Sequence, residues 1–212
     1  MRARVVTFAN QKGGVGKTTL AINVAAGLAR RGTCHVIDAD PQASASLWSR
    51  SFTNRRRISV EITSAGESLT NELEALGSRY DYLVVDCPPA LDTPGVMSAI
   101  ACADILLIPV LPSPVDLWAS TRIETLVYEA RKLHPNFDAY LVINQIEDRN
   151  AMSRAMASAL AEFTVPALRN GLKRRAAYRA AALEGCSVYE LGARGRIAAQ
   201  EIDTLIDEVL EL

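Results

Sequence analysis

Short runs of consecutive apolar residues recur along the chain and alternate with segments of helical length. The runs cover residues 4–9, 35–38, 82–86, 105–110 and 140–144. Because these runs are apolar without alternation, they predict strands covered on both faces, which is typical of a mainly parallel sheet. Helices are predicted over residues 17–31, 43–50, 67–78, 94–102, 117–133, 151–163, 173–183 and 193–210. This alternation predicts one doubly wound α/β domain over residues 1–212.

Composition and charge place the chain among ordinary globular proteins, with 49% hydrophobic and 22% charged residues. The net charge of −1 means that attraction to a polyanion would need a local basic patch. Residues 1–30 lack an apolar leader with a cleavage-like site, and no apolar stretch approaches the roughly 20 residues of a spanning helix. We therefore expect a cytoplasmic protein. The scattered cysteines favour buried thiols over a metal site; they are Cys34, Cys87, Cys102 and Cys186.

A glycine-rich loop over residues 12–19 (KGGVGKTT) lies between the first predicted strand and the first predicted helix. Its glycines allow successive amide groups to turn toward a phosphate, and the helix N-terminus adds partial positive charge. Lys17 would reach the β- and γ-phosphates, and the Thr18 hydroxyl would ligate Mg²⁺. Position 11 is Gln where the strict phosphate-loop pattern has glycine. The predicted nucleotide-binding residues are Lys12, Gly13, Gly14, Val15, Gly16, Lys17, Thr18 and Thr19.

Three segments resemble motifs of the ParA/MinD superfamily, in the order in which that family has them. Residues 10–19 (NQKGGVGKTT) resemble its deviant Walker A loop, 38–42 (DADPQ) its Walker A′ segment, and 84–89 (VVDCPP) its Walker B strand. Residues 112–121 (PSPVDLWAST) are similar to a segment of small plasmid-partition ATPases without an N-terminal DNA-binding extension. The resemblance implies a P-loop NTPase fold, ATP and Mg²⁺ as ligands, and ATP hydrolysis.

The resemblance also implies roles for the charged residues near the loop. Asp40 would polarise the attacking water, while Asp38 and Asp86 would support Mg²⁺ together with Thr18. Lys12 would cross a dimer interface to the partner's nucleotide, so the implied catalytic residues are Lys12, Lys17 and Asp40. Two alternatives stay open: an aspartate that merely caps the next helix, and a solvated loop lysine. By analogy with the family, Asn144 and Pro166 would contact adenine, with Asn144 as an ordinary strand-end cap the alternative.

A basic region follows in the C-terminal third of the chain. Residues 149–196 contain nine basic and three acidic residues, whereas residues 197–212 contain five acidic residues and no basic one. This asymmetry predicts a surface for nonspecific duplex DNA, with a solvated arginine-rich helix as the alternative. The candidate DNA contacts are Arg149, Arg154, Lys173, Arg174, Arg175 and Arg179.

The resulting hypothesis is a nucleoid-associated ATPase that dimerises on ATP and is released by a small ParB-like or cargo-adaptor activator. Its cargo would be a plasmid or chromosome partition complex, or a protein assembly such as a carboxysome or chemoreceptor cluster. Three alternatives remain: a dethiobiotin-synthetase-like metabolic enzyme, an iron–sulfur protein, and a MinD-like membrane-cycling ATPase. The acidic polar face of the last predicted helix argues against the membrane alternative, because it would repel anionic lipid.

Overall fold

The computed structural model describes residues 2–50, 58–91, 93–113, 121–133, 137–147, 160 and 163–211. Within these residues six strands form one sheet, and every strand pair in it is parallel. The sheet order is β3-β2-β4-β1-β5-β6. The strands are β1 (Arg4–Phe8), β2 (Cys34–Asp38), β3 (Glu61–Ser64), β4 (Tyr82–Asp86), β5 (Ile105–Val110) and β6 (Asp138–Ile143).

Helices cover both faces of this sheet and bury separate apolar clusters. One cluster includes Leu73, Ile100 and Val127 from three different helices, and the other includes Leu20 and Ile202. The predicted doubly wound α/β architecture is therefore confirmed. The described helices are α1 (Lys17–Leu28), α2 (Ser44–Ser49), α3 (Leu69–Gly77), α4 (Pro94–Ala101), α5 (Thr121–Leu133), α6 (Ala176–Glu184) and α7 (Arg196–Glu211).

Two predictions of local structure were wrong. Strand β3 was not predicted, because it is a four-residue edge strand whose side chains are partly or fully exposed and therefore lack an apolar run. Helix α6 begins at Ala176 rather than at residue 173, because Lys173 forms a parallel bridge with Ile146 and the Arg174 amide donates to the Ile146 carbonyl. The helix predicted over residues 151–163 lies almost entirely outside the described residues.

The strand register brings three candidate site segments to one edge of the sheet. Phe8, at the end of β1, is paired with Asp86, and Asp38 is paired with the same residue from the other side. The glycine-rich loop that follows β1 therefore leaves the sheet beside both aspartates. Carboxyl ends of parallel strands are where open α/β sheets bind their ligands. None of the helices in the described part of the chain is long and apolar enough to cross a bilayer.

Candidate nucleotide-binding site

The loop between β1 and α1 has the backbone geometry of an anion cradle. Gly14 and Gly16 adopt φ values of 78° and 94°, a left-handed region that favours glycine. A Cβ at Gly13 or Gly14 would meet nothing within 4 Å, so the outer side of the loop is open. Gly16 is also the N-cap of α1 and provides no side chain to bind the first amide groups of that helix. Those amide groups remain available to a phosphate.

Asn10 anchors the start of the loop, a role that the sequence analysis missed. Its side-chain Nδ2 donates to the Pro109 carbonyl at the end of β5 at 2.7 Å. Its Oδ1 accepts the Lys12 amide at 3.1 Å, and the residue is buried. Asn10 thus fixes the backbone at Lys12 relative to the sheet. Its place at the start of the motif over residues 10–19 suggested a role in the loop. The sequence could not show that its partner would be the carbonyl of Pro109, 99 residues away.

Lys17 lies buried at the base of the loop, where its Nζ donates to the Lys12 carbonyl oxygen at 3.1 Å. Burial lowers the pKa of Lys17, while the negative charges of Asp86 and Asp40 raise it. Both aspartates therefore lie close enough to Lys17 to influence its charge. Lys12 is half-buried on the same loop.

Asp86 is a fully buried carboxylate at the C-terminal end of β4. Neither of its oxygens has a hydrogen bond of normal geometry among the described residues. Burial raises the pKa of Asp86 to about 7, and the neighbouring Thr18 hydroxyl opposes that shift. An unsatisfied buried carboxylate is costly unless a cation or donors reach it. The residues Thr18 and Asp86 therefore fit a Mg²⁺ ion with its bound water.

Asp38 and Asp40 have different local roles, and the helix-cap alternative applies to Asp38. Asp38 Oδ2 accepts the amide of Ser46 in α2 at 2.8 Å, and Oδ1 accepts the Asp40 amide at 3.2 Å. Asp40 makes a tight turn by accepting the Gln42 amide at 2.9 Å. The next helix begins at Ser44 and not near position 41, so Asp40 does not cap it. Asp38 is buried and Asp40 half-buried beside the loop.

Asn144 contacts the loop itself. Its Nδ2 donates to the Val15 carbonyl at 2.8 Å, and its Oδ1 accepts the following amide of Gln145 at 2.9 Å. Gln145 has a positive φ of 59°, and its own side chain donates to the Gly14 carbonyl at 3.3 Å. The end of β6 is thus bound to the loop at two successive positions. Asn144 is more than the strand-end cap of the alternative interpretation.

A cavity of about 330 Å³ opens beside the loop, where Gly16 and Thr19 line it. Pro166 is placed elsewhere: its carbonyl accepts the Leu141 amide at 2.8 Å, three residues before Asn144 on β6. The structure therefore does not bring Pro166 to this cavity. The lining residues are Gly16, Thr19, Asn144, Gln145, Lys173, Arg174, Arg175, Tyr178, Arg179 and Ala182.

Four of the six candidate DNA contacts line this same cavity, a placement that the sequence analysis did not anticipate. Arg174 pairs with Glu147 at 2.8 Å, and both side chains are more than half exposed. Arg175 makes two bonds to Glu201, and both of these side chains are largely shielded from solvent. Arg179 is exposed. Arg149 and Arg154 lie outside the described residues.

The structure also argues against two of the alternatives, the iron–sulfur protein and the membrane-cycling ATPase. Cys34, Cys87 and Cys186 are buried within the subunit, where they cannot reach a partner to share an iron–sulfur cluster. The apolar stripe of α7 packs on the core through residues that include Ile202, Leu205, Ile206 and Val209. An amphipathic helix packed in this way is not available to a membrane surface.

Comparison with known proteins gives consistent matches. Residues 6–188 match the model of the CobQ/CobB/MinD/ParA nucleotide binding domain. Over 210 residues the chain is 42% identical to maintenance of carboxysome distribution protein A from Halothiobacillus neapolitanus, covering 99% of this chain and 97% of that protein. The fold is similar to that of apo McdA from Cyanothece, with a TM-score of 0.73, 18% identity, and coverage of 94% and 99% of the two chains.

The structure of a biosynthetic enzyme is as similar to this fold as that of apo McdA is. Cobyrinic acid a,c-diamide synthase from Mycobacterium smegmatis, with bound ADP and magnesium, gives a TM-score of 0.75 at 18% identity. The alignment covers 96% of this chain and 94% of that one. At such identities the structural similarity shows the fold alone, and it does not separate a positioning ATPase from a biosynthetic enzyme.

Proposed function

Because the chain belongs to the CobQ/CobB/MinD/ParA nucleotide-binding family, we propose that it is a Mg²⁺-dependent ATPase that distributes carboxysome-type assemblies over the nucleoid. The observation that carries this proposal is the 42% identity to a carboxysome distribution protein over nearly the full length of both chains. The dethiobiotin-synthetase-like alternative has no comparable support. More distant relatives are chromosome partitioning ParA proteins, to two of which, from Myxococcus xanthus and Caulobacter vibrioides, this chain is 33% and 28% identical.

ATP would bind with its phosphates in the loop from Gly13 to Thr18 and its nucleoside in the adjoining cavity. Lys17 would leave the Lys12 carbonyl and turn to the β- and γ-phosphates, which offset the cost of its burial. Mg²⁺ would supply charge neutralisation at the phosphates, held by Thr18 with Asp86 and Asp38 behind its water shell. Asp40, on its tight turn beside Lys17, would orient the attacking water.

Lys12 would act across a dimer of this chain. Its amide is fixed by Asn10, so the loop presents the Lys12 side chain from a rigid base. A cation supplied from the partner subunit stabilises charge on the transferring phosphoryl group and makes ATP part of the interface. Lys12→Ala should therefore keep ATP affinity but lose ATP-dependent dimers, measured by light scattering with ATP or ADP. Dimers of Lys12→Ala in ATP would contradict this assignment.

Nonspecific DNA binding would use the exposed cations near the cavity. Arg179 and Arg174 are the best placed, because a half-exposed pair such as Arg174–Glu147 is weak and easily exchanged for a phosphate. Arg175 is already held by Glu201 and is expected to contribute less. Fluorescence anisotropy with a random-sequence duplex should show binding in ATP, little in ADP, and a steep loss with added salt.

Arg179→Ala at saturating ATP should weaken DNA binding, whereas Arg169→Ala, an exposed arginine outside the cavity lining, serves as the matched control. ATP affinity is measured separately for both variants, because Arg179 also faces the nucleotide cavity. Equal DNA binding in ATP and ADP by the wild-type protein would argue against the DNA part of the proposal.

The cargo is tested in Halothiobacillus neapolitanus cells that lack their own distribution protein. Expression of this chain should restore spaced carboxysomes, and Lys17→Ala should leave them clustered. Clustering with a wild-type chain that still binds DNA in response to ATP would reject carboxysomes as the cargo. A small activator protein is part of the proposal, and it would be detected as a partner that accelerates ATP hydrolysis.

A further inference from the structure

Two carboxylates of α7 point toward the wall of the nucleotide cavity. Glu201 and Glu208 are seven residues apart, which places them on the same side of the helix two turns from each other. Both bind the segment of residues 169–175, whose last three residues line the cavity. The acidic side of α7, which the sequence suggested only as a lipid-repelling face, is therefore used within the subunit.

Glu201 holds the end of this segment through Arg175. The guanidinium donates from Nε to Oε2 at 2.8 Å and from Nη2 to Oε1 at 2.5 Å. The side chains of Arg175 and Glu201 are only 27% and 18% exposed. A partly shielded two-bond pair of this kind has a defined geometry, unlike an exposed single contact.

Glu208 holds the start of the same segment through its backbone. Its carboxylate accepts the Arg169 amide at 2.7 Å, the Asn170 amide at 3.0 Å and the Asn170 side-chain Nδ2 at 2.7 Å. Three donors on one carboxylate fix the position of the chain at Asn170.

Between these two anchors the segment adds to the edge of β6. The Leu172 amide donates to the Ile143 carbonyl at 2.8 Å, and the Ile146 amide donates to the Leu172 carbonyl at 2.9 Å. Gly171 permits the close approach, because a Cβ there would lie 2.8 Å from the Ile143 carbonyl oxygen. The segment of residues 169–175 is thus bound to the end of β6 and to Ile146 just beyond it, and to α7 at both of its ends.

We propose that Glu201 and Glu208 are positioning residues for the nucleotide, through which α7 sets the distance between the cavity wall and the phosphate-binding loop. This inference rests on the proposed ATP site. Neither glutamate lines the cavity, so both act through Arg175 and Asn170. Because coupling of this kind is reciprocal, a ligand that shifts α7 would change ATP affinity, and ATP would change affinity for that ligand.

The test compares ATP with inorganic tripolyphosphate, each with Mg²⁺, in titration calorimetry of the full chain. Tripolyphosphate needs only the loop, whereas ATP also needs the cavity wall. Glu201→Gln should raise the Kd for ATP by about tenfold, because a charge-assisted pair is lost, and should leave the Kd for tripolyphosphate within about twofold. At saturating ATP the hydrolysis rate should change little, so the effect appears in KM.

Asp207→Asn is the matched control on the same helix, because Asp207 pairs with Arg31 and not with the cavity wall. It should bind both ligands as the wild type does. Glu208→Gln should behave like Glu201→Gln, and Glu201→Asp should recover part of the ATP affinity. If Glu201→Gln does not fold, Arg175→Lys supplies the same test, since it keeps the charge and removes the two-bond geometry.

Unchanged ATP affinity in folded Glu201→Gln and Glu208→Gln would overturn the inference. Equal weakening of ATP and tripolyphosphate would also overturn it, since that pattern indicates general damage to the loop. A wild-type protein that binds no ATP would instead reject the proposed function, so the two failures are distinguishable.

Discussion

The side chain of Asn144 donates a hydrogen bond to the carbonyl oxygen of Val15 at 2.8 Å, so the end of β6 braces the middle of the phosphate-binding loop. The pair is 129 residues apart in the chain and buried. The loop is therefore held from two sides, by Asn144 at Val15 and by Asn10 at Lys12. Gln145 adds a third contact, at the Gly14 carbonyl.

Asn144→Ala should weaken ATP binding, because the Val15 carbonyl loses its partner and the loop loses a fixed point. Loss of one buried hydrogen bond costs about 1–3 kcal/mol. Titration with ATP measures the change in affinity, and urea unfolding measures the change in stability. Asn144→Asp should bind ATP still less well, since it adds a negative charge beside the phosphates. A variant with wild-type affinity would show that this brace is dispensable.

Gly16→Ala should destabilise the protein and abolish ATP binding. Gly16 has a φ of 94°, and an added Cβ would collide with the Asn144 side chain. A non-glycine residue in strained backbone costs about 1–3 kcal/mol before the collision is counted. Gly13→Ala is the control, because a Cβ there meets nothing within 4 Å. Thermal unfolding without nucleotide should separate the two variants, and similar melting temperatures would contradict the left-handed backbone at Gly16.

Asp86→Asn should separate stability from activity. The amide is nearly the same size as the carboxylate. It removes a buried charge whose oxygens have no hydrogen bond of normal geometry among the described residues. Without nucleotide the variant should therefore melt higher, by roughly 2–4 °C for each kcal/mol gained. Mg²⁺-dependent ATP hydrolysis should be lost, because Asp86 supports the ion. Phosphate release assays and calorimetry check both results, and a less stable, active variant would refute the role of Asp86.

A pH effect should arise from His35 on β2. The ring is buried with its Nε2 2.9 Å from the Thr63 hydroxyl, and it packs against the Tyr80 ring. Burial lowers the pKa of His35 below its ordinary 6.5 despite opposing charges. The charged groups around the ring are Glu61, Glu72 and Arg79.

Because the folded protein favours neutral His35, its contribution to stability is present above pH 6.5 and is lost as the pH falls below that value. The difference in unfolding free energy between the wild type and His35→Gln should therefore shrink as the pH falls from about 7.5 to about 5.5. Urea denaturation of both proteins at several pH values measures this difference in unfolding free energy. A constant difference across this range would show that His35 has the same pKa in both states.

The parts of the site that were predictable from sequence are those that a local pattern determines. Continuous apolar runs predicted five of the six described strands. The spacing of the glycines predicted the loop between β1 and α1, which begins at Lys17. Contacts between distant segments were not predictable, as with Asn10 and Pro109 or Arg175 and Glu201. The same limit explains the later start of α6, because the first residues predicted for it pair with Ile146, just after β6.

The basic residues show this limit most clearly. Their clustering in sequence indicated a charged surface, but it could not show that Arg175 is held by a glutamate 26 residues later or that Arg179 lines the cavity beside the loop. Net charge in a segment reports composition, whereas the partner of each charge depends on the fold.

The order of strands in the sheet has a consequence for synthesis on the ribosome. β1 emerges first, yet both strands beside it lie within residues 82–110, and Asn144 and α7 are translated later still. A nascent chain therefore carries an unsupported phosphate-binding loop through most of its translation. We therefore expect incomplete chains, which lack Asn144 and α7, to bind ATP more weakly than finished ones.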